Sequence, residues 1–173
     1  MEKSMQLQSI SMITMLMFTQ MLASSVTENK NRIPVIKQFM RAAHWGDNAE
    51  LRKLHAQNGR LVHHHHGLEG WSALHHATHT ERGDVIALLL ALKASIHTKK
   101  KRENTPLHMA SRRGSKNIVQ FLLENNADIN NTNKEGNTPL HLASEFGNKD
   151  TIELLLSRGA NRDLRNKLGK TAS

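Results

Sequence analysis

The chain has 173 residues, 38% of them apolar, which suits one domain with a buried core and is too rich for a disordered tail. Aromatic residues make up only 3%, with no Tyr, so the core must come from Leu, Ile, Val, Ala and Met, which favours helices packed through aliphatic side chains. Cysteine is absent, excluding disulfide frameworks, thiolate nucleophiles and Cys-based zinc sites, and a formal charge of +9 predicts attraction to acidic surfaces of any kind.

Residues 1–32 read as a leader and linker. Ile10 to Ala23 is a Met-rich apolar run of signal-peptide length, followed by the small residues Ser24 and Ser25. Glu2 offsets Lys3, and Ser11, Thr14, Thr19 and Gln20 dilute the run, so two readings stand: a cleaved export signal, or a disordered or loosely helical leader. The run is too short and too polar to cross a membrane. The compartment follows the leader: cytoplasmic by default, periplasmic or secreted if residues 1–25 are cleaved. Asn29 to Arg32 is a polar linker, and Pro34 opens the folded part.

From residue 33 onward the chain repeats itself. Ser72-Ala73-Leu74-His75, Thr105-Pro106-Leu107-His108 and Thr138-Pro139-Leu140-His141 are offset by 33 residues both times. Leu88 to Leu90 aligns with Phe121 to Leu123 and Leu154 to Leu156, Ala94 with Ala127 and Ala160, and Gly114 with Gly147, where the earlier block has Glu81. Thr105 and Thr138 are placed to cap a helix that starts at Pro106 or Pro139, where a missing N–H costs nothing, and that ends near Gly114 or Gly147. In the second helix of each pair Ile118, Phe121 and Leu122, like Thr151, Leu154 and Leu155, predict one apolar stripe. Each buried Leu or Ile contributes roughly 1.5–3 kcal/mol only once a neighbouring pair covers it, so stability should reside between repeats.

A period of 33 residues with a Thr-Pro-Leu-His signature resembles the ankyrin repeat over about residues 33–173. The resemblance implies an all-α solenoid of stacked helix-turn-helix pairs with short β-hairpin or loop fingers. It divides the chain into a degenerate N-capping repeat at 33–66, repeats at 67–99, 100–132 and 133–165, and the start of a further block at 166–173. In the first repeat, Met40 to Asp47 has no Thr-Pro cap, and it joins the next block through a loop two residues longer that holds His63 to His66. The final block stops at Ser173, read either as a truncation or as an array whose last full repeat caps itself.

No constellation for catalysis emerges, and no cofactor or metal is expected. His75 and His79 have metal-ligand spacing, but His75, His108 and His141 occupy the motif position whose imidazole, by resemblance, bonds within the turn. His63 to His66, on a mobile loop, give no closed ligand shell. Gly169-Lys170-Thr171 lacks the first glycine of a phosphate loop, because Leu164 stands there. The carboxylates Glu103, Glu124, Asp128, Glu135, Asp150 and Glu153 are scattered, no serine sits in a nucleophile elbow, and Asn130-Asn131-Thr132 is a glycosylation sequon with meaning only after export.

Partner-facing positions are then assigned by the ankyrin register: His44 and Trp45; Leu68, Glu69, Trp71, His79 and Thr80; Lys101, Arg102, Asn104, Arg112 and Arg113; Lys134, Glu135, Asn137, Glu145 and Phe146. Exposed Trp beside Arg has the composition of an interface hot spot, while the alternative is that Trp45 and Trp71 pack on each other or seal the inter-repeat loop. The third repeat is strongly basic: Lys93, Lys99 to Arg102, Arg112, Arg113 and Lys116 have only Glu103 as a nearby acid in sequence. Lys99 to Arg102 also resembles a short nuclear-import signal, but Lys101, Arg102, Arg112 and Arg113 are expected to converge on one groove. The expected function is a monomeric, non-catalytic scaffold or adaptor binding another protein through an acidic segment. The alternatives are electrostatic attachment to nucleic acid or a membrane surface, or the ankyrin portion of a longer effector or enzyme. Low aromatic content and the lack of a groove-entering helix argue against nucleic acid.

Overall fold

A computed structural model describes residues 34–172 of the chain. The leader with its apolar run lies outside the described residues. The chain divides into Met1–Lys37 and Gln38–Ser173, and the account below concerns the second unit. Among the described residues there are eight α-helices in four pairs. The inner helices are α1 (34–45), α3 (Ala73–His79), α5 (Pro106–Arg113) and α7 (Pro139–Glu145); the outer helices are α2 (Asn48–Gln57), α4 (Gly83–Ala91), α6 (Lys116–Glu124) and α8 (Lys149–Ser157). No helix among them is long and apolar enough to cross a membrane.

Each inner helix begins for a reason written in its first residues. Thr105 Oγ1 accepts from the His108 amide, and His108 Nδ1 accepts in return from the Thr105 amide at 3.3 Å. Ser72 with His75 and Thr138 with His141 form the same reciprocal cap. Since Nδ1 accepts, Nε2 carries the proton, and it donates at 3.0 Å to a carbonyl of the next finger: Asn104 for His75, Asn137 for His108, Lys170 for His141. The imidazole thus bonds beyond its own turn and fastens each repeat to its successor.

Small and branched residues then close the stack. Leu74, Leu107 and Leu140 are buried at equivalent positions, as are Ala77, Ala110 and Ala143. Helix α5 packs against α3 and α7, and α6 against α8. The outer stripe departs from expectation: Ile118, Val119 and Leu122 are buried while Phe121 is half-buried, and Thr151 and Leu155 are buried while Leu154 is not. An outer helix must face both its own inner helix and a neighbouring outer helix, as α6 faces α5 and α8, so adjacent positions such as Ile118 and Val119 both go inward. The polar residue that opens each later outer helix reaches back to the previous pair: Arg82 Nε donates to the His44 carbonyl, Ser115 Oγ to Glu81, and Asn148 Nδ2 to the Ser111 and Arg112 carbonyls at the end of α5.

Fingers join the pairs along one edge. Backbone amides tie them at the repeat period: Lys101 N–H donates to the Glu69 carbonyl, Lys134 to Arg102, and Lys167 to Glu135. Asn133 and Asn166 add side-chain bonds to Asn104 and Asn137. The histidine run is not the mobile loop expected of it. Gly59–His63 is a helical turn, and His65–His66 pairs antiparallel with Trp71–Ser72 as β1 and β2, with His65 opposite Ser72. Turn formation is favoured there because Asn58 Oδ1 accepts from the Arg60 amide, and His65 Nε2 lies 2.7 Å from Thr98 Oγ1.

The third finger turns without a glycine. Gly70, Gly136 and Gly169 have positive φ at this register, whereas Glu103 takes φ 58° there, directly after Arg102 at φ 66°. A left-handed non-glycine residue costs about 1–3 kcal/mol, and the exposed Lys99–Glu103 pair returns little of it. Glu103→Gly is therefore expected to stabilise the protein by about 1 kcal/mol, read as a higher urea midpoint.

Burial lowers the pKa of both His75 and His108 to about 4, against the opposing bonds to the Asn104 and Asn137 carbonyls. The folded chain therefore favours the neutral ring. That stabilisation is complete above the unfolded value near 6.5 and is lost as pH falls from 6.5 towards 4. Between pH 6 and 5 each of the two histidines should remove on the order of 1 kcal/mol of folding free energy, seen as a falling urea midpoint, and with His76 lowered to the same value at least three protons should be taken up on unfolding.

Candidate functional site

The inner helices and fingers together line a concave face whose side chains recur at the same register. His44, His79, Arg112 and Glu145 occupy one position and Trp45, Thr80, Arg113 and Phe146 the next. One turn earlier stand Arg41, His76, Met109 and Leu142.

Between the third and fourth repeats lies a groove of about 410 Å³. Met109 and Leu142 line it, with Phe146 at one side; Lys100, Lys101, Arg102 and Arg112 supply cations, and Glu69, Glu135 and Glu145 supply carboxylates. The Arg112 guanidinium lies 4.7 Å from the Phe146 ring centre and forms no ion pair with a described carboxylate. Arg102 Nε is 4.0 Å from Glu135 Oε1, an exposed pair of little energetic weight. Lys100 Nζ sits 5.0 Å over the Trp71 ring. Burial is the main cause that lowers the Lys100 pKa; Arg112 and Arg102 act in the same sense and Glu69 against them.

The first two repeats present rings instead. Trp45 meets His44 edge-on at 5.0 Å, His44 lies 5.8 Å from His76, and His76 lies 4.9 Å from Trp71, which also meets His79 at 5.2 Å. His76 is lowered to about pKa 4 by burial and then by His44, His79 and His66, and His79 is lowered by burial and then by Arg113. The tryptophans do not stack on each other; two imidazoles connect them.

Lys101, Arg102, Arg112, Glu145 and Phe146 are thus brought together in the groove, and His44, Trp45, Trp71 and His79 in the ring run. Leu68 stands apart, fully exposed on its fingertip. Arg113 does not converge with Arg112. Its Nε is 3.7 Å from Glu81 and its Nη1 is 3.5 Å from His79 Nδ1, because adjacent residues at a helix end point about 100° apart and Glu81 offers the nearer charge. Nor is Glu103 the only acid beside the basic residues: Glu69, Glu135 and Glu145 line the same groove, brought in by neighbouring repeats. Sequence reasoning missed Lys100, Met109, Leu142 and His76 as site residues; the last three share one register position, which was the available signal.

Lys99 to Arg102 is folded into its finger, not extended. The Lys100 amide donates to the Asn104 carbonyl and the Lys101 amide to Glu69, while Lys99 pairs with Glu103. His75 and His79 also diverge, the first into the core and the second toward Trp71. Among the described residues no group of three His, Asp or Glu side chains is arranged to hold a metal.

Stacked helical hairpins with fingers along one edge define a helical repeat protein. A family model of ankyrin repeats in three copies matches residues 39–133 and 81–166, and the chain belongs to the ankyrin repeat family. No curated protein matches the chain. Ankyrin repeats are generally protein–protein interaction modules, and such domains are typically non-catalytic.

The two indoles differ in access. In the Trp71→Phe protein the remaining Trp45 emission should be red-shifted and quenched steeply by the neutral quencher acrylamide, whereas in Trp45→Phe the remaining Trp71, covered by Lys100, His76 and His79, should be quenched less.

Proposed function

We propose that the chain is a monomeric scaffold or adaptor that binds an acidic segment of another protein along its concave face. Residues 33–66, 67–99, 100–132 and 133–165 serve as the repeating units, with 166–173 opening a further one. The observation that carries this reading is the groove beside α5, where Lys100, Lys101, Arg102 and Arg112 lie together and Arg112 has no carboxylate partner among the described residues. Cations held against apolar surface attract a carboxylate more strongly than cations on open surface, and they steer its approach.

The mixture of charges favours a protein over nucleic acid. Glu69, Glu135 and Glu145 interrupt the basic surface, so a uniformly charged phosphate chain meets repulsion where a peptide can place neutral residues. Attachment to nucleic acid or an anionic membrane remains the second reading, and it rests on the net charge of +9.

Charge reversal distinguishes the two. The double change Lys101→Glu with Arg112→Glu should reduce binding of an acidic synthetic peptide by about a hundredfold and flatten its salt dependence, measured by fluorescence anisotropy. Unchanged affinity and salt slope would remove the groove from consideration.

A further inference from the structure

The two ends of the concave face ask for different chemistry from one ligand. Trp45 is 68% exposed, and the rings of Trp45, His44, His76, Trp71 and His79 touch in sequence across α1 and α3 and the base of the second finger. His76 and His79 have lowered pKa values; the cations that touch the run are Lys100 over Trp71 and Arg113 beside His79, and among the described residues no cation lies over Trp45. No carboxylate lies in the ring run. A large apolar side chain seated against Trp45 removes indole surface from water without covering Lys100 or Arg113.

The groove at the other end offers the reverse. Met109 and Leu142 are already buried, and Arg112 covers the Phe146 ring, itself 48% exposed. Little free apolar area remains in the groove, and what a ligand meets is the cationic row of Lys100, Lys101, Arg102 and Arg112. Lys100 joins the two regions, since it lines the groove and lies over Trp71.

We infer that the face takes a two-part ligand: a protein segment whose carboxylates meet Lys100, Lys101, Arg102 and Arg112, and which carries, a few residues along, a bulky apolar side chain that seats against Trp45 and Trp71. This rests on the acidic-segment reading above and adds to it the anchor and the place where it binds. Charge complementarity selects the acidic part; the exposed Trp45 indole selects the apolar part.

Three synthetic peptides offered to the full chain test it: one acidic, one acidic with a single Trp or Leu anchor flanking the acidic run on either side, and one with the anchor and no acids. The anchored acidic peptide should bind about tenfold tighter than the acidic one, with the same salt slope. Trp45→Ala, at an exposed position, should remove that tenfold gain and leave the acidic peptide unaffected. Arg112→Glu should weaken both acidic peptides and spare the anchor contribution.

If no acidic peptide binds, the acidic-segment reading itself fails. If the acidic peptide binds and the anchor adds nothing, or Trp45→Ala leaves the gain intact, only the two-part inference is overturned. A single-stranded poly(dT) oligonucleotide that binds more tightly than the anchored peptide, with sensitivity to Trp45→Ala, would overturn it in favour of base stacking on the same rings.

Discussion

One buried imidazole in each repeat from the second to the fourth fastens it to the finger that follows. His75, His108 and His141 each accept from the amide that opens their helix, and each donates to a carbonyl 29 residues ahead, on the next finger. The ring has one acceptor and one donor nitrogen only in its neutral form, so the bridge exists only while the proton sits on Nε2. Burial keeps His75 and His108 neutral and also makes any lost bond costly, since the ring N–H would be left buried without an acceptor while the carbonyl kept only the amide of its own finger. The same length of chain must therefore separate every cap from its finger, and this fixes the period. The concave face follows from that period: residues of unrelated chemistry are lined up because the backbone beneath them is.

Departures from the consensus trade local strain for polar contacts between repeats. Glu81 stands where Gly114 and Gly147 provide the left-handed turn, and it adopts φ 56°. A glycine there would relieve the backbone but would leave Ser115 Oγ without its 2.6 Å acceptor and Arg113 without its ion pair. Arg113 is drawn toward the second repeat by this carboxylate, and it stands beside His79 instead of Arg112. One replaced glycine thereby decides which cations the groove contains.

How much could be read beforehand divides along the same line. Caps, helix starts and repeat register were legible because Thr105, Pro106 and His108 act within four residues of one another, where sequence spacing and spatial spacing coincide. The equivalence of Leu74, Leu107 and Leu140 followed from the register alone. The inward turn of Val119 was not legible, because it depends on where neighbouring helices lie. The order of His63 to His66 was missed since strand pairing with Trp71–Ser72 and the bond to Thr98 come from residues on other segments. In the site, charge type was legible and charge partner was not: Glu135 reaches Arg102, and Glu81 reaches Arg113, from a full repeat away.

The carboxylates of the groove bear on selectivity more than on strength. A surface carrying only cations attracts every polyanion, and the gain is lost to whichever is most abundant. With Glu69, Glu135 and Glu145 set among Lys100, Lys101, Arg102 and Arg112, a ligand gains only where its own negative charges face the cations and is repelled where they do not. Spacing of charge along the ligand then becomes the quantity recognised. A rigid phosphate backbone cannot adjust that spacing, whereas a peptide can choose it residue by residue. Glu145 lines the same groove as the Arg112–Phe146 stack, so on the proposed reading the guanidinium held over the ring meets a ligand carboxylate in a groove that also carries acids it does not pair with.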